Sequence, residues 1–228
     1  MECTVEVTSV SQVFHLKLRG VYYLTKMNTA FESIKPEFDK YKNHKHVEFE
    51  LRLGKVITRS GRGVQQFDTN VGYDDFQRIL DGLKRYQGWE SVKESEVDIF
   101  YDGEKRYIFE GDDCVACTKK KVKKVDVHLE NKPYDIRFGV ATETPIKNPE
   151  VPSEADQKTR KRWSFIRKNL SIDMSIVTGG GAFDPDSEDE DVYQVELEII
   201  DPSKVKTIDE LYSICWKVED ILKLLENK

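Results

Sequence analysis

Through most of its middle the chain alternates polar and apolar residues with a period of two, the pattern of strands with one buried face. Such runs cover 47–53 (VEFELRL), 97–101, 106–110, 122–129, 134–142, 158–166, 172–177 and 192–200, which predicts about eight strands. Turn residues separate them: Asp102-Gly103, Gly111-Asp112, Asn131-Lys132-Pro133, and a 144–157 stretch holding Pro145, Pro149 and Pro152. Helical spacing is rarer. Phe76, Ile79, Leu80 and Leu83 predict a helix over 74–86, with Asp74 and Gln77 as a capping box. Thr207-x-x-Glu210 opens another over 207–226, which turns Ile208, Leu211, Cys215, Val218, Leu222 and Leu225 to one side. Residues 28–41 predict a helix interrupted near Pro36. Residues 178–191 hold glycines, a proline and acids without a period and read as a loop. No repeat and no linker is visible, so one domain over 1–228 is expected, with its core at about 47–200 and 207–226 as a packing helix.

The charges on these strands are sorted. Glu48, Glu50 and Arg52 share one face, opposite Val47, Phe49, Leu51 and Leu53. Gln194, Glu196 and Glu198 share another, opposite Tyr193, Val195, Leu197 and Ile199. Lys158, Arg160, Arg162 and Ser164 lie opposite Trp163 and Phe165, and Asp135, Arg137 and Glu143 lie opposite Ile136, Phe138 and Val140. Alternate residues on a strand stand about 7 Å apart, where two carboxylates repel by about 2 kcal/mol at an effective dielectric near 20. On a solvated face that cost is screened and an E-x-E pair means little. Turned inward, two such pairs demand a counter-charge, most simply a divalent cation, and all-oxygen donors suit Mg²⁺ or Mn²⁺.

Composition narrows the picture. The 228 residues carry 36 Lys+Arg against 42 Asp+Glu, a net charge of −6, which argues against a DNA-coating protein. The cations are gathered, in KKKVKK at 119–124 and KTRKRWSFIRK at 158–168, as if to build an anion site inside an acidic chain. In the first of these, Lys119, Lys121 and Lys123 share a strand face. No apolar run is long enough to span a bilayer, and the first twenty residues lack the apolar stretch of a cleaved leader. Cysteines at 3, 114, 117 and 215 predict free thiols in a reducing, intracellular compartment. The pattern predicts an α+β fold dominated by antiparallel β: an eight-stranded barrel closed on itself, helices packed outside, and a polar lumen fit for phosphates and a metal.

VEFELRLGK at 47–55 and VELEI at 195–199, with KKKV at 119–122, YDIRFGVATE at 134–143, KTRKRWSF at 158–165 and IDMSIV at 172–177 in order between them, resemble the triphosphate tunnel metalloenzymes. The resemblance covers about residues 47–200 and is to the fungal and large-virus type of metal-dependent RNA 5′-triphosphatase, including the N-terminal domain of mimivirus-like capping enzymes. It implies an eight-stranded tunnel and a hydrolase that removes the γ-phosphate of triphosphate-ended RNA, with NTP as a second substrate. It implies Glu48, Glu50 and Glu198 as metal ligands, with Glu196 supporting the metal and its waters. Glu143 would act on the attacking water. Arg106, Lys119, Arg160 and Arg162 would hold phosphate oxygens, with Lys121, Lys158 and Arg137 as further cations and Asp173 orienting a neighbour. It also implies a guanylyltransferase partner, joined covalently or not, no membrane, no DNA, and a viral factory or virion if the viral likeness holds. The third residue of the first motif is Arg52 rather than the Lys of the adenylate cyclase and thiamine-triphosphatase branch.

Other readings stand beside this one. A tunnel enzyme could act on tripolyphosphate or a small organic triphosphate, and a non-catalytic β-domain could bind phosphorylated ligands or dock a partner. Cys114-x-x-Cys117 is half a zinc motif with no second half. Gly179-Gly180-Gly181 lacks the Lys and Ser/Thr of a phosphate loop, and the acids of 184–191 read as a solvated tip. His15, His44, His46 and His128 are scattered, and Trp163 and Phe165 read as core.

Overall fold

A computed structural model describes residues 28–58, 65–153, 155–179 and 191–226. The period-two runs become strands β1 (Val47–Thr58), β3 (Ser91–Asp102), β4 (Lys105–Glu110), β5 (Asp113–Val127), β6 (Asp135–Pro145), β7 (Asp156–Arg167), β8 (Leu170–Thr178) and β9 (Val192–Ile199). All neighbours are antiparallel, in the order β1-β6-β5-β4-β3-β7-β8-β9, and β9 pairs back onto β1. Eight strands therefore close a barrel, as the pattern predicts. A short strand, β2 (Gln65–Asp68), pairs with the far end of β1 outside this ring. Four residues reading QQFD carry too little alternation to be found by periodicity. Beneath them Gly54 is required, because a Cβ there would strike the Asp68 carbonyl and the Phe67 ring.

The main core lies outside the barrel. Phe49, Leu51 and Leu53 of β1, Ile136, Phe138 and Val140 of β6, Ile172 and Met174 of β8, and Val195, Leu197 and Ile199 of β9 are buried in one cluster. Helices cover that wall: α1 over residues 28–41, α2 (Tyr73–Arg85), α3 (Ile208–Cys215) and α4 (Lys217–Glu226). Phe31 of α1 meets Phe138 edge-on at 5.2 Å and Phe38 meets Phe49 at 5.0 Å. With the apolar faces held outward, the charged rows of the same strands must face the lumen.

Helix details depart from the sequence reading in three places. α1 runs through Pro36 without a break; Ala30, Phe31, Ile34 and Phe38 are buried along it, and that packing outweighs the bond the ring removes. α2 has no Asp74 capping box. Its cap is Gly72 at φ 75°, and the acid put to use is Asp75, which accepts from the Tyr134 hydroxyl at 2.7 Å. The 207–226 segment splits at Trp216 into α3 and α4, and each half turns its own apolar stripe onto the curved wall. The Thr207–Glu210 capping box is present as predicted. The first 27 residues, and most of the 178–191 loop with its glycines and acids, lie outside the described residues.

Because Pro36 is exposed inside a continuous helix, Pro36→Ala is expected to stabilise the protein by about 1–2 kcal/mol. Urea denaturation measures this. An unchanged or lower midpoint would mean that α1 is not a regular helix at that point.

Candidate active site

The barrel register sets which charges meet. β1 against β9 places Glu50 opposite Glu198 and Arg52 opposite Glu196; β8 against β9 places Ser171 opposite Glu198 and Asp173 opposite Glu196. β7 against β8 aligns Arg162 with Ser175, and β5 against β6 aligns Lys119 with Glu143. Two acidic rows that are about 150 residues apart in the chain thus become neighbours, and the basic rows of β5 and β7 share their lumen.

A ladder of ion pairs lines one side. Arg52 Nη2 donates to Glu50 Oε2 at 2.8 Å, and its Nε lies 3.1 Å from Glu196 Oε1. Arg162 donates to Glu196 Oε2 at 3.0 Å, to Asp173 Oδ2 at 2.9 Å and to Ser175 Oγ at 2.9 Å. Asp173 Oδ1 accepts from the Ser171 hydroxyl at 2.6 Å. Burial opposes ionisation of Glu196, but Arg52 and Arg162 hold its carboxyl down at about 2. Burial likewise opposes the charge on Arg52, which Glu196 and Glu50 hold on more firmly than usual. Both oxygens of Glu196 are thus spent on arginines. Asp173 and Glu196 both accept from Arg162. Arg52, which the sequence reading assigned no task, ties the two acidic rows together.

The other side is a cluster around Lys119. Its ammonium is paired with Glu48 and lies 3.2 Å from Glu143 Oε1 and 3.9 Å from Glu50 Oε2, and the residue is only 8% exposed. Burial would lower its pKa; Glu50 and Glu48 raise it. Arg106 Nη1 lies 3.6 Å from Glu143 Oε1, on the same inner face as Lys119. Gly139 lies opposite Glu50, and a Cβ there would come within 3.1 Å of the Glu50 carboxylate. The missing side chain leaves that carboxylate its room, a feature the sequence does not flag.

Charge in the lumen is unevenly matched. Burial, then Glu50, pushes the Glu48 carboxyl up to about 7 despite Lys119. Burial, then Glu48 and Asp173, pushes Glu198 up to about 8. Glu48 Oε2 is buried against the Lys119 ammonium, which Glu50 and Glu143 share. On β7, Arg160 is the reverse case: its Nε is buried without a partner, and burial and Arg162 pull its pKa down. Among the described residues Glu198 has no ion-pair partner, and the Arg160 guanidinium is short of an anion. Among the described residues no three metal-ligating groups converge at bonding distance, because Glu48 and Glu50 are turned onto Lys119 and Arg52. The donor set still fits a hard divalent ion: Glu48, Glu50 and Glu198 offer only oxygen, from adjacent strands.

The remaining predicted cations are less central. Lys158 lies over the Tyr101 ring at 5.9 Å, and Lys121 is exposed opposite Ala141. Arg137 is committed elsewhere: its guanidinium is bound to both oxygens of Asp126, at 2.6 and 2.8 Å, and packs on Phe67. The KKKVKK face also needs correction. A bulge between Lys121 and Lys123 shifts the register, so that Lys124, opposite Gly139, continues the inner row and Lys123, opposite buried Val140, leaves it. Cys114 and Cys117 are free thiols three residues apart on one strand, which sends them to opposite faces.

Three comparisons place this geometry. A family model described as mRNA capping enzyme, beta chain, matches residues 72–227. Among solved structures, the Pct1 RNA triphosphatase of S. pombe is 17% identical, with a TM-score of 0.67 over 85% of this chain and 91% of that one. The same protein in complex with the Spt5 CTD gives 0.63 at 17% identity over 86% and 89%. The mimivirus capping enzyme triphosphatase gives 0.58 at 17% identity over 86% and 97%. At these identities the structures are alike in fold. No curated protein matches.

Glu198 offers a direct test on the metal-free protein. Its folded-state pKa of about 8 lies above the ordinary value of 4.5, so its ionisation opposes folding progressively as pH rises from about 4.5 to 8. In EDTA at pH 8, Glu198→Gln is expected to melt about 2–8 °C above wild type. The difference should vanish near pH 4. A melting point below wild type at pH 8 would show that the carboxylate is already compensated.

Proposed function

The chain belongs to the family of mRNA capping enzyme beta chains, the mRNA triphosphatases, and from that we infer the reaction its lumen performs: hydrolysis of the γ-phosphate from triphosphate-ended RNA, the opening step of capping. One observation carries the reading to these residues. Within one closed passage, and among the described residues, Glu198 has no ion-pair partner, Glu48 shares the single Lys119 with Glu50 and Glu143, and Arg160 has no anion, and a polyphosphate with its metal supplies what each is short of.

Glu48, Glu50 and Glu198 would hold Mg²⁺ or Mn²⁺, which supplies Lewis acidity at a phosphoryl oxygen. The protein groups do the rest. Arg160 and Arg162 of β7 receive the transferring phosphoryl, Arg162 held in place by Asp173 and Glu196. Lys119 and Arg106 neutralise charge on the leaving side. Glu143, open to water at 36% side-chain exposure and flanked by both cations, aligns the attacking water and takes its proton. The new bond joins water oxygen to the γ-phosphorus; the bond broken is that from the γ-phosphorus to the β–γ bridging oxygen. Diphosphate-ended RNA and inorganic phosphate leave.

The finer parts of the proposal follow from the same site. NTPs present the same triphosphate and serve as secondary substrates. The RNA product needs a guanylyltransferase, attached to this chain or associated with it. Free thiols at Cys114, Cys117 and Cys215 fit a reducing intracellular compartment.

Phosphate release from triphosphate-ended RNA, ATP and tripolyphosphate, with Mg²⁺, Mn²⁺ or EDTA, tests the reaction. Glu48→Ala and Glu198→Ala should each lower release by about 10²-fold or more while circular dichroism stays unchanged. EDTA should abolish it and added metal restore it. Wild-type turnover in either variant, or binding without release in every metal, overturns the assignment.

A further inference from the structure

We propose that Tyr101 forms a nucleoside subsite inside the tunnel, on which the base of the substrate's first nucleotide stacks. The proposal rests on the triphosphatase reading and names what the tunnel grips besides phosphate. Tyr101 ends the inner row Val97, Ile99, Tyr101 of β3. Val97 lies opposite Arg160, Ile99 opposite Lys158, and Tyr101 opposite Arg106. The ring therefore stands on the same face as three cations of the phosphate-binding wall. The other aromatic rings of the barrel strands face outward; Phe49, Phe138, Trp163, Phe165 and Tyr193, for example, join the outer core. Among the described inner-row residues Tyr101 is the one ring, and it is half-buried rather than sealed.

Its present neighbours leave the ring available. The Arg106 guanidinium lies 5.6 Å and the Lys158 ammonium 5.9 Å from the ring centre. Both distances are close to the limit of about 6 Å for a useful cation–π contact, so the hold is weak. Phosphate oxygens bind such cations more strongly than a ring does. A triphosphate that draws Arg106 and Lys158 onto itself bares the Tyr101 face one step along the row, where the attached nucleoside follows. Stacking of a base on an aromatic ring is worth roughly five- to a hundredfold in affinity and tolerates any base. That suits an enzyme that must accept RNA ends of differing sequence. A tyrosine that only oriented Arg106 would help every triphosphate alike, and tripolyphosphate, which has no base, separates the two roles.

The test compares wild type, Tyr101→Ala and Tyr101→Phe on triphosphate-ended RNA, ATP and tripolyphosphate at saturating metal. Tyr101→Ala is expected to raise KM for RNA and ATP by roughly tenfold or more, with kcat and tripolyphosphate hydrolysis changed less than about twofold. Tyr101→Phe should restore KM. Equal losses on all three substrates would make Tyr101 a support for Arg106, and a loss on RNA alone would move the contact beyond the first nucleoside; either overturns the proposal, as does no change at all. If wild type releases phosphate from nothing, the triphosphatase reading fails. Calorimetry of ATP and tripolyphosphate binding then still decides the subsite, since only ATP should weaken in Tyr101→Ala.

Discussion

The pairing of β9 onto β1 is the contact on which the rest depends. It closes the barrel, and in doing so forces Glu50 against Glu198 and brings Arg52 to Glu196. Backbone hydrogen bonds fix that register, so the carboxylates cannot separate to relieve their repulsion. Burial in the closed lumen, and then neighbouring acids (Glu50 beside Glu48, Glu48 and Asp173 beside Glu198), raises the pKa values of Glu48 and Glu198. Strain of this kind is useful at a site that must attract a cation, because binding relieves it.

A small barrel usually fills its lumen with apolar side chains. Here the arrangement is reversed, and stability comes from the helix-covered outer wall, where Phe31, Phe138, Phe165 and Leu197 are fully buried. Separating the two tasks to the two faces of the same strands leaves the inner face free for charge. It also makes α1 to α4 part of the site's scaffold, since without them the outer wall of β1, β6, β8 and β9 would face water.

Within the lumen, one row of charges is tied together by continuous pairing. The ladder Glu50–Arg52–Glu196–Arg162–Asp173–Ser171 holds its members in fixed positions. Glu198 and Arg160, which have no ion-pair partner among the described residues, are left to receive something from outside, beside Glu50 and Arg162, which the ladder already positions. A mismatch of charge set in a rigid, matched frame is what preorganisation at such a site requires.

The period of two carried the strands, the sorting of Glu48, Glu50, Glu196 and Glu198 onto inner faces, and the basic row of Arg160 and Arg162, because side-chain alternation is a property of the backbone itself. With the order of those segments, that pattern was enough to predict a closed barrel and its lumen. Other features depend on what lies opposite in space. KKKVKK says nothing about where its strand bulges, so Lys124 replaces Lys123 only once β6 is paired with it. Arg137 looked like one more phosphate cation until Asp126 and Phe67 claimed it. Arg52, Gly139 and Tyr101 read as ordinary strand residues; their roles come from Glu196, Glu50 and Arg106, none of them adjacent in the chain. Local alternation fixes which way each side chain points, and only closure of the sheet decides which side chain it meets.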